Sequence, residues 1–425
     1  RERSRRNIQL AAVTSPRHAR RTIRVEAARA AAKKNGSRPS SRYGASPRAT
    51  SPRFKDKIKR KPNLLAAAKR VVVANQVHRT LSGLVKEKKL ADAASEGRRE
   101  ALSGALAKVD HWDFNIWECV EACGGDVVLA AHSVVDAVVF TQRRAKPQHL
   151  LRPFVQKVLG TYQDVPYHNA LHGADVLQGF HALLTESHAL DASLDDDTVL
   201  VSLLAAISHD VGHPGLTNAY LVATSHELAI RYNDVSPLEN MHARVALDLA
   251  RPWMETLPPE DRRAGRALWI DLLLATDMKH HAGAIFDMQR ALQKAQAAGG
   301  VYDAAEPAHQ HETLKIFIHA CDVSNPAKPW ATYMKWTDLV MEEFWKQAEL
   351  EAENGLAPTM PRKQNTDLAK FQLGFIGFIR PLFATANQIA SVDFSAPLAC
   401  LDESRRRWAE DPPPATPGGA RAAAA

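Results

Sequence analysis

The sequence predicts an all-α fold, on three observations. Apolar residues recur at three- and four-residue spacing in long runs from about Asp110 to Arg407. Alternating strand patterns are almost absent from the same stretch. Turn signals such as Gly124-Gly125, Pro258-Pro259 and Gly299-Gly300 separate the helical runs. Composition agrees with a globular chain: of 425 residues, 45% are hydrophobic and 24% charged, which excludes a wholly disordered protein. No apolar run approaches the ~18 residues of a membrane-spanning helix. Four cysteines (119, 123, 321 and 400) with no Cys-x-x-Cys pair are too few for a disulfide scaffold. These features predict a soluble, cytoplasmic protein with no transmembrane segment.

Taken in order, residues 1–62 read as a basic disordered tail, rich in Arg, Ser, Ala and Pro and nearly free of aromatics. Residues 1–70 hold 22 Lys/Arg against 3 Asp/Glu, a net of +19, while the rest holds 33 against 44, a net of −11. The basic character belongs to the tail, so nucleic-acid binding by the folded part is not expected. Ser-Pro-Arg repeats at Ser15, Ser46 and Ser51. They admit proline-directed phosphorylation, docking to an anionic surface or a regulatory protein, or simply a solvated linker. The acid-poor, Arg/Ser/Ala-rich start also resembles a transit segment, but a chain opening on Arg1 and not Met reads as a fragment, which counts against the transit reading. Residues 63–108 read as a helical connector, 109–407 as the functional domain, and 408–425 as a second disordered tail. Within the domain, Glu349-Leu-Glu-Ala-Glu-Asn354 reads as a solvated acidic face.

Thirteen of the 18 histidines lie between His168 and His319. Their arrangement carries more than their number. In Tyr167-His168-Asn169-Ala170-Leu171-His172 the two histidines are four apart, which on a helix puts them on one face. In His209-Asp210-Val211-Gly212-His213 an imidazole and a carboxylate are adjacent, and His213 would follow one helical turn later. In Ala320-Cys321-Asp322-Val323-Ser324-Asn325-Pro326 a carboxylate sits inside an apolar helical pattern, where a lone Asp is rarely buried without a partner. Imidazoles combined with two carboxylates suit a divalent ion such as Zn²⁺, Mg²⁺ or Mn²⁺. A carboxylate can bridge two ions, so the set suggests a binuclear pocket for phosphoester hydrolysis.

Several further stretches complete a recognisable set: Tyr232-Asn233-Asp234 to Leu238-Glu239-Asn240, Thr276-Asp277-Met278, Asp322-x-Ser-Asn-Pro and Gln372-x-Gly-Phe-Ile. From about Trp112 to about Phe383 the chain resembles the catalytic domain of the class I cyclic nucleotide 3′,5′-phosphodiesterases, most closely the cAMP-preferring branch. The resemblance implies a compact multi-helix domain like that of the HD superfamily, with a binuclear metal pocket. It implies hydrolysis of a 3′,5′-cyclic nucleotide to the 5′-monophosphate by a metal-bridging hydroxide. By position it implies His172, His209, Asp210 and Asp322 as ligands of Zn²⁺, with Asp210 shared by a second ion, Mg²⁺ or Mn²⁺. His213, Glu239 and Thr276 would organise the waters around the ions, and His168 would act as general acid on the departing O3′.

For the base, Gln372 and Phe375 are neighbours on a helix face, as are Val340 and Phe344. In the family such an amide reads the purine edge, while a phenylalanine and an aliphatic residue clamp the ring. Tyr167 belongs to the same pocket, and Asn325 matches a residue that contacts adenine. A freely rotating Gln372 amide could serve adenine or guanine, so the expected preference for cAMP rests on Asn325. The departures from the family pattern are Gly173 where Ala is usual, Gly212 where an acidic residue is frequent, and His280 where another basic residue is common. Gly212 is expected to loosen a helix end carrying His213. The competing readings are another HD-type nucleotide phosphohydrolase, which would not need the Gln372/Phe375 clamp, and a catalytically silent scaffold, which would be expected to have lost a ligand or the acid.

Overall fold

The computed structural model describes residues 96–359 and 362–410. The tail 1–62, most of the connector 63–108 and residues 411–425 lie outside the described residues. Helix starts follow the capping residues of the sequence. Asn115, Asp126, Asn169, Asp195, Thr217 and Asp367 each accept backbone N–H groups of the turn they open. Proline takes the first helical position at residues 237, 259 and 307, where its missing N–H costs nothing.

In chain order the helices are α1 (Glu96–Leu106), α2 (Ile116–Ala122), α3 (Val127–Val135) and α4 (Gln148–Thr161), with a π-helical stretch at Asp136–Gln142 before α4. There follow α5 (Ala170–Glu186), α6 (His188–Ser193), α7 (Asp196–Ser208), α8 (Asn218–Ala223), α9 (Glu227–Arg231) and α10 (Pro237–Met254). The last six are α11 (Pro259–Leu274), α12 (His281–Ala297), α13 (Pro307–Asp322), α14 (Trp330–Glu353), α15 (Leu368–Ala386) and α16 (Ser395–Glu410). No strand occurs among the described residues; one isolated bridge joins Asp303 and Ala390. No described helix is long and apolar enough to cross a membrane.

Two helices occupy the centre. Every residue of α5 from Ala170 to Leu184 is buried, and so is α7 from Val199 to Ser208. A helix apolar around its whole circumference must be enclosed by others, and α5 packs against α3, α7 and α13. Gly173 makes room for one of these contacts. The Tyr162 hydroxyl fills the space of its missing side chain and donates to the Ile207 carbonyl at 2.9 Å, so a Cβ there would stand 2.5 Å from the hydroxyl oxygen.

Two sequence readings are corrected here. The C-terminal boundary at 408 falls inside α16. Trp408 is 2% exposed, belongs to the main core and donates its indole N–H to Tyr333 Oη at 3.1 Å. The acidic stretch 349–354 is not uniformly solvated. Glu351 is 1% exposed and accepts from the Gln347 amide at 2.9 Å and from the Thr359 N–H at 2.7 Å. Its place on α14, four residues after Gln347, turns it inward.

Candidate active site

Three chain segments deliver the histidine–carboxylate motifs to one point. Asn169, not His168, decides the first. Its Oδ1 caps α5 by accepting the N–H groups of Leu171 at 2.9 Å and His172 at 3.4 Å, while its amide nitrogen holds the carbonyls of Val165 and Pro166. The helix therefore begins after His168. The expectation that His168 and His172 share a helical face is corrected: His168 stands on the preceding turn, with its ring centroid 5.7 Å from that of His172.

The second segment departs from helix as well. His209 caps the end of α7, and the chain turns through Asp210 to Gly212, whose φ is +81°. His213 is thus carried by a turn and not by a second helical turn. Gly212 does not loosen a helix end; it supplies a left-handed backbone conformation that other L-residues adopt at a cost. Asp322 is the last residue of α13, as its helical pattern predicts.

The resulting cluster holds His172, His209, Asp210 and Asp322, with one ligand atom of each within 4.8 Å of all the others. His209 Nε2 lies 3.2 Å from His172 Nε2, Asp210 Oδ2 and Asp322 Oδ1 alike. His172 Nε2 is 3.2 Å from Asp322 Oδ1 and 3.5 Å from Asp210 Oδ2. The proton count shows what the cluster needs. His209 Nδ1 is 2.9 Å from the Ala206 carbonyl and must donate to it, so in the neutral ring Nε2 is a lone pair facing two carboxylates. Burial disfavours a charged imidazole, yet Asp210 and Asp322 outweigh it and raise the His209 pKa well above the ordinary value. Buried acceptors converging in this way call for positive charge between them. A divalent cation supplies that charge, and two imidazoles with two carboxylates fit its coordination chemistry.

Asp210 faces two ways. Its second oxygen, Oδ1, is 3.5 Å from Nε2 of His242, and Asp210, His213 and His242 form a second potential metal group. His242 donates from Nδ1 to the Val211 carbonyl at 2.9 Å, so its buried Nε2 is also a lone pair and has no hydrogen-bond partner. The His213 ring is stacked between those of His168 and His242, at 3.9 and 5.6 Å. Glu239 and Thr276 line the same cavity of about 800 Å³, together with His168, Asp210, His213 and Asp322. Glu239 accepts both its hydrogen bonds from the Asn218 amide, at 3.0 and 2.9 Å. Burial, then the nearby Asp277, lift its pKa to about 7.

Two residues here were not found from the sequence. His242 lies one turn after Glu239 on α10, a spacing that could have drawn attention to it. Glu343 had no such signal, being 175 residues from His168. It is buried on α14, hydrogen-bonds to His168 Nδ1, and accepts the backbone N–H groups of Tyr167 at 3.0 Å and His168 at 3.2 Å.

A second cavity, of about 330 Å³, adjoins the first and shares His168, Met278, Asp322 and Phe344 with it. Tyr167, Asn325, Val340, Gln372 and Phe375 line it, so every base-pocket residue expected from the sequence is brought together. The Gln372 amide is not free to rotate. Trp408 donates to Tyr333 Oη, an indole being a donor only, and the tyrosine proton goes to Gln372 Oε1 at 2.7 Å. Asn325 is also engaged: its amide nitrogen donates to Tyr167 Oη at 2.6 Å.

Comparison with known proteins agrees with this geometry. Residues 167–398 match the family model described as 3′5′-cyclic nucleotide phosphodiesterase. The chain is 32% identical over 329 residues to the mouse 3′,5′-cyclic-AMP phosphodiesterase 4C, covering 75% of this chain and 48% of that protein. It is also 32% identical over 329 residues to a Drosophila melanogaster 3′,5′-cyclic-AMP phosphodiesterase, isoform F, covering 75% and 50%. The chain thus spans about half the length of these relatives. Among solved structures, the phosphodiesterase domain of the Salpingoeca rosetta rhodopsin phosphodiesterase is similar, with a TM-score of 0.60 and 30% identity over 70% of this chain and 90% of that one. The matched span runs from Tyr167, beside the metal-type cluster, past the amide and aromatic residues of the second cavity, and the chain belongs to the 3′5′-cyclic nucleotide phosphodiesterase family.

Proposed function

We propose that this chain hydrolyses a 3′,5′-cyclic nucleotide, cAMP ahead of cGMP, to the nucleoside 5′-monophosphate. The observation that carries the reading is the contiguity of the two cavities: a cluster of two histidines and two aspartates that could hold a metal ion lies beside a mostly apolar pocket, with His168 lining both. His172, His209, Asp210 and Asp322 would hold Zn²⁺. Asp210 would also bind Mg²⁺ or Mn²⁺, with His213, Glu239 and Thr276 holding water around it. Such ions, when bound, make water a nucleophile at neutral pH and neutralise the charge that develops on a phosphoryl group.

The chain's own contribution to bond cleavage is a placed proton. Burial disfavours the charged form of His168, but Glu343 outweighs it and raises the His168 pKa to about 9 in the metal-free protein. Glu343 thus favours the charged ring. Its Nδ1 is taken by Glu343, and Nε2, 4.0 Å from Asp210 Oδ2, is left to protonate a leaving oxygen beside the cluster.

The base is read by fixed groups. Phe375 and Val340 would clamp the two faces of a purine, with Phe344 at the boundary of the two cavities. Because Tyr333 holds Gln372 Oε1, the amide presents one arrangement of donor and acceptor and discriminates between purine edges. Asn325, with its nitrogen on Tyr167, keeps Oδ1 for a donor such as the amino group at C6 of adenine. The relatives named as cyclic-AMP phosphodiesterases support the same choice. The net charge of +19 on residues 1–70 supports a salt-sensitive contact of that segment with an anionic surface.

Competing cAMP and cGMP in one reaction, with and without chelator, tests the proposal. Metal-dependent release of 5′-AMP, preferred by roughly tenfold or more, is expected, since a mispaired buried polar group costs ~1–3 kcal/mol. Hydrolysis of neither nucleotide by the metal-loaded protein rejects the reading, and preference for cGMP rejects the assignment to cAMP.

A further inference from the structure

Behind the base pocket lies a pair of histidines that the proposed reaction does not use. His281 opens α12, four residues after Asp277, and is buried. Its Nε2 is 3.1 Å from the Phe378 carbonyl on α15, and its Nδ1 is 2.9 Å from His319 Nε2 on α13. Its ring also stacks on that of Phe378, with centroids 4.3 Å apart and planes 30° from parallel.

The hydrogen-bond partners set every proton in this chain of contacts. A carbonyl only accepts, so His281 carries its proton on Nε2. Its Nδ1 is then a lone pair, and His319 must donate to it from Nε2. His319 Nδ1 is left as a lone pair, and it is indeed buried without a partner. Burial lowers the pKa of both rings, that of His319 to about 4, so both are neutral at neutral pH as this order of protons requires.

The two ends of the relay sit on functional helices. His319 lies one turn before Asp322 on α13. Phe378 lies six residues after Gln372 and three after Phe375 on α15, and with Met278 it forms part of the wall of the base cavity. Pro381 lacks the N–H that would reach the Gly377 carbonyl, so the ladder of α15 is interrupted beside Phe378. The His281 donor on the neighbouring Phe378 carbonyl adds a tether beside that gap.

We infer that His281 is a positioning residue: with its tautomer set by His319, it holds the base-binding helix α15 in register with the ligand-bearing helix α13, and so sets affinity for the nucleotide. The inference rests on the proposed function for the identity of the ligand. The test uses the metal-loaded full chain with His281→Phe, His319→Leu and His319→Gln. Phenylalanine keeps the stacking surface and removes both nitrogens. Leucine frees the His281 tautomer, whereas glutamine can still donate to His281 Nδ1.

His281→Phe and His319→Leu are each expected to weaken 5′-AMP binding, measured by calorimetry, and to raise KM by about three- to tenfold, the worth of one hydrogen bond. The kcat and the bound metal should change less than about twofold, and His319→Gln should recover most of the loss. Amide exchange over residues 372–382 should quicken in the two impaired variants and not in His319→Gln. Lower melting temperatures with unchanged 5′-AMP affinity and unchanged exchange on α15 would overturn the inference by showing a purely structural pair. A wild-type protein that binds 5′-AMP but hydrolyses neither nucleotide would reject the proposed function, while the binding and exchange comparisons would still decide this one.

Discussion

Glu343 grips His168 twice: one carboxylate oxygen hydrogen-bonds to the ring at Nδ1, and the other accepts the main-chain N–H of the same residue at 3.2 Å. Ring and backbone are thus fixed by a single side chain from a helix far away in sequence. Glu343→Gln is expected to lower kcat by about 10- to 100-fold, less than the ~10²–10⁴ that loss of a general acid costs. Steady-state kinetics with metal analysis checks this, and loss of an ion from the variant would contradict the positioning role.

The same pair predicts a dependence on pH. The His168 pKa is raised from 6.5 to about 9, so its share of stability is complete below 6.5 and lost as pH rises through about 9. The Glu343 pKa falls from 4.5 to about 2: burial opposes this, but His168 outweighs it. Its share is complete above 4.5 and lost as pH falls through about 2. Melting temperatures of the metal-free protein should therefore lie on a plateau between these limits. In Glu343→Gln the alkaline edge should move to lower pH, and an unmoved edge would show that Glu343 does not hold the proton on His168.

Metal removal should abolish hydrolysis, and Zn²⁺ with Mg²⁺ or Mn²⁺ should restore it. Asp210→Ala should be more damaging than Glu239→Ala, because Asp210 faces both His172/His209 and His242 while Glu239 is bonded only to the Asn218 amide. Activity and metal content measured on both variants decide the order.

Tyr333→Phe removes the donor that holds Gln372 Oε1 and leaves the fold's apolar contacts in place. The amide then gains a second orientation. The ratio of kcat/KM for cAMP over cGMP should fall by about three- to tenfold, the worth of one hydrogen bond. Asn325→Ala should narrow the same ratio. If neither substitution moves it, base choice is made elsewhere in the pocket.

Gly173→Ala would place a methyl group 2.5 Å from the Tyr162 hydroxyl and 3.1 Å from the Ile207 carbonyl. Overpacking of this kind costs ~1–3 kcal/mol. The melting temperature should drop, and Tyr162→Leu in the same chain should recover part of the loss. An unaltered melting temperature would show that Tyr162 can leave its site freely.

The all-α class of the fold and the residue types of the candidate site are legible in the amino-acid sequence alone. Periodicity of 3.6 residues, capping residues such as Asn169 and Asp195, and punctuation at Gly124-Gly125 and Pro258-Pro259 are local properties, legible without a partner. The imidazole and carboxylate groups of His209-Asp210 and Asp322 are equally local. How those side chains are presented depends on long-range packing. His168 leaves the face of His172 because Asn169 ends the turn, and His213 swings on the left-handed Gly212. Glu343 reaches His168, and Trp408 locks Gln372 through Tyr333, across 175 residues in one case and 75 and 39 in the other. Such pairings depend on how whole helices pack, since the direction of a side chain and the owner of a proton are settled by the groups that surround them and not by their neighbours in the chain.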